Sequence, residues 1–201
     1  MRARIAADAR AEGIQVLPPT VNSPDERFAI RETTDGVEIA EAADGAGATV
    51  VMRPQELAGD MATVDSAVRH VLENVEDESK YVVILYANVP IRPEGLIDRA
   101  LQRLISTGAD SVQSYAPVGK HHPYWAMHLD SKDHVSYWQR NSIHRRQDLP
   151  DVFIPDGGVI AVTRESLFQV DEQDPHAFLG KDRRGIRNAR GAVVDVDEKI
   201  D

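Results

Sequence analysis

The 201-residue chain contains no cysteine. That excludes disulfides, zinc–thiolate sites and thiol nucleophiles, and it fits a reducing compartment. No apolar run approaches the roughly 20 residues needed to span a bilayer. Arg2, Arg4 and Arg10 stand near the start with no apolar stretch among them, so no signal peptide is expected and a cytoplasmic location is the default. Basic residues are outnumbered, 23 Lys and Arg against 33 Asp and Glu, for a formal net charge of −10. A nucleic-acid partner is therefore not expected, because phosphate-backbone binding needs a basic face. A small anionic ligand is still compatible, since one site can be basic on an acidic protein. Aromatic residues are scarce at 5%, yet both tryptophans fall in one short stretch. The 42% of hydrophobic residues suffices for one domain with a sizeable core.

From about residue 35 strand-like and helix-like segments alternate. Asp35 is a candidate cap for a short helix carrying Ile39, Ala42 and Ala43, with Gly45 and Gly47 as stop signals. Ala48–Met52 is a short β-branched run. Asp60 or Thr63 then opens a helix with Val64, Ala67, Val68, Val71, Leu72 and Val75 at helical spacing. Tyr81–Leu85 is continuously apolar, as a parallel strand covered on both faces would be. Pro93 suits the first turn of a helix whose stripe is Leu96, Ile97, Ala100, Leu101, Leu104 and Ile105. Ser111–Ala116, Gly158–Val162 and Ala192–Asp197 read as further strands, and Arg164–Phe168 as a helical turn. The alternation predicts an α/β fold, a mostly parallel sheet with helices on its faces. Residues 117–156, with Tyr124, Trp125, Tyr137 and Trp138, break the pattern and read as an excursion from the sheet.

Three stretches carry candidate chemistry. In Asp195-Val196-Asp197 a strand would send both carboxylates from one face, where they suit Mg²⁺ held together with substrate phosphates; a solvated strand edge gives the same pattern. In Tyr86–Arg92, at the carboxyl end of a predicted strand, Asn88 suits a base or ribose, and Arg92 suits a phosphate or an orienting role in the loop. In Arg145-Arg146-Gln147-Asp148, one guanidinium suits a bidentate contact with an acidic sugar, or the pair is simply offset by Asp148 and Asp151. His121 and His122 have no third ligand at a metal-binding spacing and are expected to be structural.

In order, these pieces resemble the acylneuraminate cytidylyltransferase family, which includes CMP-sialic acid synthetases and bacterial relatives acting on other nonulosonic acids. Thr33-Thr34-Asp35-Gly36-Val37-Glu38-Ile39-Ala40 is similar to the family's STDDxEIA, and Arg53-Pro54-Gln55-Glu56-Leu57-Ala58-Gly59-Asp60 to its RPxxLAxD. Tyr86–Arg92 stands where the family has QPTSPLR. His121–Trp125 matches HHPYW, Arg146–Pro150 matches RQDLP, Asp156-Gly157 stands at NG, and Asp195–Asp197 matches DID. The resemblance implies a Rossmann-like three-layer nucleotidyltransferase (GT-A-like) sandwich over residues 31–201. It implies CMP transfer from CTP to a nonulosonic acid, pyrophosphate release and a need for Mg²⁺. By position Asp195 and Asp197 would be the catalytic and metal-holding residues. Arg53, Thr63, Asn88 and Arg92 would line the nucleotide, and Arg146, Gln147 and Asp156 the sugar. A homodimer is implied too, with 117–156 as the dimerisation and sugar-binding excursion.

The chain departs from the family at several points. Tyr86 replaces Gln, Asp156 replaces Asn, and Trp125 stands where some sialic-acid enzymes have Lys, so sialic acid itself is not the expected sugar. The family's opening strand and glycine-rich ARGGSKxxxxKN loop have no counterpart ahead of residue 31. Residues 1–30 form an atypical segment in which Gly13–Ser23 weakly resembles part of a DNA polymerase III alpha subunit, and Arg27–Ile30 is a candidate substitute for the strand. Low turnover, or a non-catalytic nucleotide- or partner-binding role, is the resulting expectation.

Overall fold

The structure, a computed structural model, describes residues 31–34, 37–59, 62–75, 78–171 and 173–196. In chain order its strands are β1 (Arg31–Thr34), β2 (Thr49–Met52), β3 (Tyr81–Ile84), β4 (Ser111–Pro117), β5 (Met127–Leu129), β6 (Val135–Tyr137), β7 (Phe153–Thr163) and β8 (Arg183–Arg187). Its helices are α1 (Val37–Gly45), α2 (Val64–Asn74), α3 (Leu96–Thr107) and the single turn α4 (Arg164–Leu167). Thr63 is the cap of α2, its side chain accepting from Ser66 N; the alternative Asp60, and Asp35 as the candidate cap of α1, lie outside the described residues. Helix α3 begins after Gly95, which takes a left-handed φ of 64°, so Pro93 belongs to the turn leading into the helix. At the other end Gly108, also left-handed, donates its N–H to Leu104 O.

The main sheet has the order β3-β7-β4-β8. Strand β7 is antiparallel to both β3 and β4, while β8 is parallel to β4. Three of the four strands thus run one way and the inserted β7 runs against them, making the sheet mixed. The expected parallel pairing of the Tyr81–Leu85 run is corrected by this: β3 pairs antiparallel, register Tyr81 with Thr163 and Ile84 with Ile160. An unbroken apolar run reports burial on both faces, whichever way its neighbour runs.

Alternation along β7 builds two cores. Val159 and Ala161 join Val112, Ile186 and the α3 residues Leu96, Ala100, Leu101 and Leu104 on one face. Ile160 and Val162 join Ile84, Leu72 of α2, Leu167 of α4, Phe178 and Leu179 on the other. Helices therefore cover both faces, and the three-layer α/β expectation holds. A separate two-stranded parallel sheet, β1-β2, lies against α1, and β1 also meets α2. No strand joins it to β3 among the described residues.

Two further expectations are corrected. Ala192–Asp197 is not a strand among its described residues: Val194 makes one isolated bridge with Ile91, because this segment is held by the loop after β3 rather than by the sheet. Strand β8 was not predicted, since Arg-Arg-Gly-Ile-Arg has a single apolar residue. Ile186, 8% exposed, is its one buried side chain. The 117–156 segment also enters the sheet at its end, as Phe153 and Ile154 pair with Pro117 and Ala116. Its middle is the hairpin β5-β6, a two-stranded sheet separate from the main one. The candidate strand Arg27–Ile30 lies outside the described residues. No helix among them is long and apolar enough to cross a membrane.

Leu104 is 0% exposed between α3 and the sheet. Leu104→Ala is expected to destabilise the domain by about 2–5 kcal/mol in urea unfolding, because the cavity cannot collapse against a sheet face.

Candidate functional site

The loop after β3 is fixed by one half-buried side chain. Arg92 donates from Nε to Gly158 O at 2.7 Å, from one terminal nitrogen to Val89 O and from the other to Tyr86 O at 2.8 Å. Burial lowers its pKa from the ordinary guanidinium value. Of the two roles open to Arg92, the geometry fills the loop-orienting one. Tyr86 lies partly buried beside it, and burial pushes its hydroxyl pKa up.

Opposite that loop the sheet carries a bulge. The step from Gln113 to Tyr115 on β4 faces the step from Ile160 to Pro155 on β7, leaving Asp156, Gly157, Gly158 and Val159 outside the regular register. Gly157 takes a φ of 73°. Gly158 has no room for a side chain, since a Cβ would meet Ser114 Oγ, Leu96 Cδ2 and Val193 Cγ2 at 2.8–2.9 Å. Asp156 gathers the surrounding donors: Oδ1 accepts from Ser114 Oγ at 2.5 Å and Gly158 N at 3.0 Å, and Oδ2 accepts from Asn188 Nδ2 at 2.7 Å. Ser114 Oγ in turn accepts from Val159 N at 3.0 Å. The carboxylate thereby joins β4, β7 and the segment after β8. Sequence reasoning missed Ser114 and Asn188. A serine within a strand and an asparagine in a charged stretch carry no periodic signal.

Asn88 and Asp195, 107 residues apart, meet at the edge of this arrangement. Asn88 Nδ2 donates to Asp195 Oδ1 at 2.6 Å, and Asn88 O accepts from Val196 N at 2.8 Å. Val194 N donates to Ile91 O at 3.2 Å, so the two segments run side by side. Asp195 is exposed, and with Oδ1 engaged by Asn88 its Oδ2 faces no other described donor. An oxygen donor held this way fits a hard cation such as Mg²⁺, which takes one or two carboxylates and completes its shell with phosphate and water. Asp197 lies outside the described residues, and no group of three or more metal-ligating side chains occurs among those described.

The remaining candidates stand further out. Arg53 follows β2 and is half-buried; Thr63 is occupied as the cap of α2. Arg145 makes a two-pronged contact with Asp148, Nε to Oδ2 at 2.7 Å and a terminal nitrogen to Oδ1 at 3.0 Å. Arg146 makes no ion pair with a described residue and, like Gln147, is exposed. The structure thus separates two adjacent arginines that sequence alone leaves equivalent. His122 is buried, its Nδ1 accepting from Tyr124 N at 3.1 Å, which leaves Nε2 to donate to Pro150 O at 3.1 Å. Trp125 Nε1 donates to Ile143 O at 3.2 Å and Asn141 Nδ2 to Tyr124 O at 2.6 Å, so polar side chains organise the 117–156 segment in place of a helix.

These environments predict opposite responses to alanine. Asp156→Ala strands the Gly158 amide and the Asn188 side chain, and is expected to cost about 2–4 kcal/mol. Arg146→Ala is expected to stay within about 0.5 kcal/mol of the parent. Thermal and urea unfolding of both variants checks the contrast.

A family model described as cytidylyltransferase matches residues 26–151. The N-acylneuraminate cytidylyltransferases of Streptococcus agalactiae serotypes V and III are each 26% identical over 155 residues, 77% of this chain. The chain spans 36% of the length of these curated relatives. A solved structure of CMP:2-keto-3-deoxy-manno-octonic acid synthetase complexed with CTP superposes with a TM-score of 0.58 and 16% identity, covering 84% of this chain and 76% of that one. That likeness is one of fold. These relatives lend no support to the polymerase-like reading of residues 1–30, which also lie outside the described residues. With more than half of its length matched by the family model, the chain belongs to the cytidylyltransferase family.

Proposed function

We propose that the chain handles CTP and a nonulosonic acid, moving CMP to a sugar hydroxyl with release of pyrophosphate. The observation that carries this reading is the contact between Asn88 and Asp195 at the carboxyl end of β3, inside a chain of this family. Ligands of open α/β sheets bind beyond the carboxyl ends of strands, and there Asn88 holds one carboxylate oxygen and leaves the other available. Asp195, with Asp197 two residues on, would hold Mg²⁺, which supplies charge neutralisation at the transferred phosphate. Arg146, free of ion pairs with described residues, would meet the sugar carboxylate. Arg53 and the loop ordered by Arg92 would border the nucleotide, with Thr63 and Gln147 near the two substrates. The loss of cysteine suits work in the cytoplasm.

In this reading the sugar oxygen forms a bond to the α-phosphorus as the bond to the pyrophosphate oxygen breaks. Turnover by these 201 residues is low, because no glycine-rich, lysine-bearing loop supplies phosphate donors; one such donor is worth roughly 10²–10³-fold. Mg²⁺-dependent pyrophosphate release from CTP with a nonulosonic acid is the test, with a family-like strand and loop grafted ahead of residue 31 as the second arm. The graft is expected to raise the rate. In the grafted protein Asp195→Asn or Asp197→Asn should lower it by about 10²-fold or more, and Arg146→Ala should raise KM for the sugar acid alone. CTP binding without turnover in either protein would support the binding-remnant reading, and fast turnover by the ungrafted chain would refute the role given to the loop.

The same reading includes a homodimer through β5-β6. Leu129, Val135, Tyr137 and Trp138 are 56%, 63%, 53% and 71% exposed, an apolar surface of the kind that marks an interface. Sedimentation should give a dimer at micromolar concentration, converted to monomer by Leu129→Asp with Trp138→Asp. A wild-type monomer at these concentrations would exclude it.

A further inference from the structure

Away from the candidate site, the outer edge of β8 and the flank of α3 enclose a groove of about 780 Å³. Arg99, Gln102, Arg103 and Ser106 reach it from α3, at the three- and four-residue spacing that aligns side chains on one helix face. Gly185 and Arg187 reach it from β8. No acidic residue among those described lines it, on a chain whose net charge is −10. None of the three arginines forms an ion pair with a described residue, whereas the neighbouring Arg183 and Arg184 pair with Asp174 and Asp182.

Each of the three guanidiniums is nevertheless held from one side. Arg99 donates to Glu94 O at 2.8 Å, Arg103 donates to Gly185 O, and the Arg187 guanidinium lies 4.8 Å from the centre of the Phe153 ring. Anchoring of this kind lowers the cost of ordering a long side chain on binding and leaves further N–H donors for a ligand. We propose that the groove is a binding site for a small phosphate-bearing anion. The fork of a guanidinium matches two phosphate oxygens, and the forks of Arg99 and Arg103 with the Gln102 amide and Ser106 hydroxyl suit a multiply charged phosphate better than a single carboxylate. The volume lies within the range for small-molecule sites.

The test is calorimetric titration of the full chain with inorganic pyrophosphate in EDTA, which needs no turnover. Saturable binding, about one per chain and weakened by added salt, is expected. Arg99→Gln with Arg103→Gln should weaken it about tenfold or more. Asn88→Ala, in the separate candidate site, should leave it unchanged. Arg99→Gln removes only one bond to a loop carbonyl and should alone weaken binding several-fold, so the proposal is testable even if the double variant does not fold. Absence of binding up to ~10 mM pyrophosphate, binding indifferent to the arginine substitutions, or citrate binding as tightly as pyrophosphate would overturn it.

Discussion

The space a Gly158 side chain would need is filled by Ser114, Leu96 and Val193, and the polar groups around that packed point are all engaged. The Gly158 amide donates to Asp156 and its carbonyl accepts from Arg92. One backbone position therefore connects the loop after β3, the start of α3, the middle of β4 and the segment leading to Asp195. A Cβ would push these apart, and shifts in a close-packed interior are transmitted rather than absorbed. The distance between Asn88 and Asp195 depends on both segments being held against this point.

Strand β7 makes the arrangement possible. It lies between β3 and β4 from Ile160 onward, where it is buried through Val162, and its bulge falls just beyond the paired end of β3, against the loop that follows β3. A bulge leaves amides and carbonyls without ladder partners, and unpaired buried polar groups are costly. Here the side chains of Ser114, Asp156 and Arg92 take up those bonds. Asp156 is consequently a structural centre as well as a neighbour of the proposed sugar site.

The polar residues divide by how many of their bonds the fold already uses. Arg92, Asp156, His122 and Arg145 are occupied by carbonyls, amides or a partner carboxylate. Arg146 and one oxygen of Asp195 are not paired with described residues, and Arg99, Arg103 and Arg187 at the groove meet no described carboxylate. A ligand finds binding energy in the second group, whereas removing a member of the first destabilises the scaffold.

Much of the fold was legible in sequence, because periodicity records which faces are buried. The stripe of α3, the cap Thr63 and the runs of β3 and β4 all follow from it. Strand β8 did not, since one buried isoleucine among arginines has no period, and neither did the pairing direction of β3, since burial on two faces is blind to direction. Ordered motifs placed Asn88, Arg92, Arg146, Asp156 and Asp195 in one candidate region, and the family match supports the family those motifs pointed to. Which of these side chains are already occupied was decided only by tertiary structure. Hydrogen bonds such as that between Asn88 and Asp195 join residues 107 positions apart, and a partner at that distance leaves no trace in local pattern.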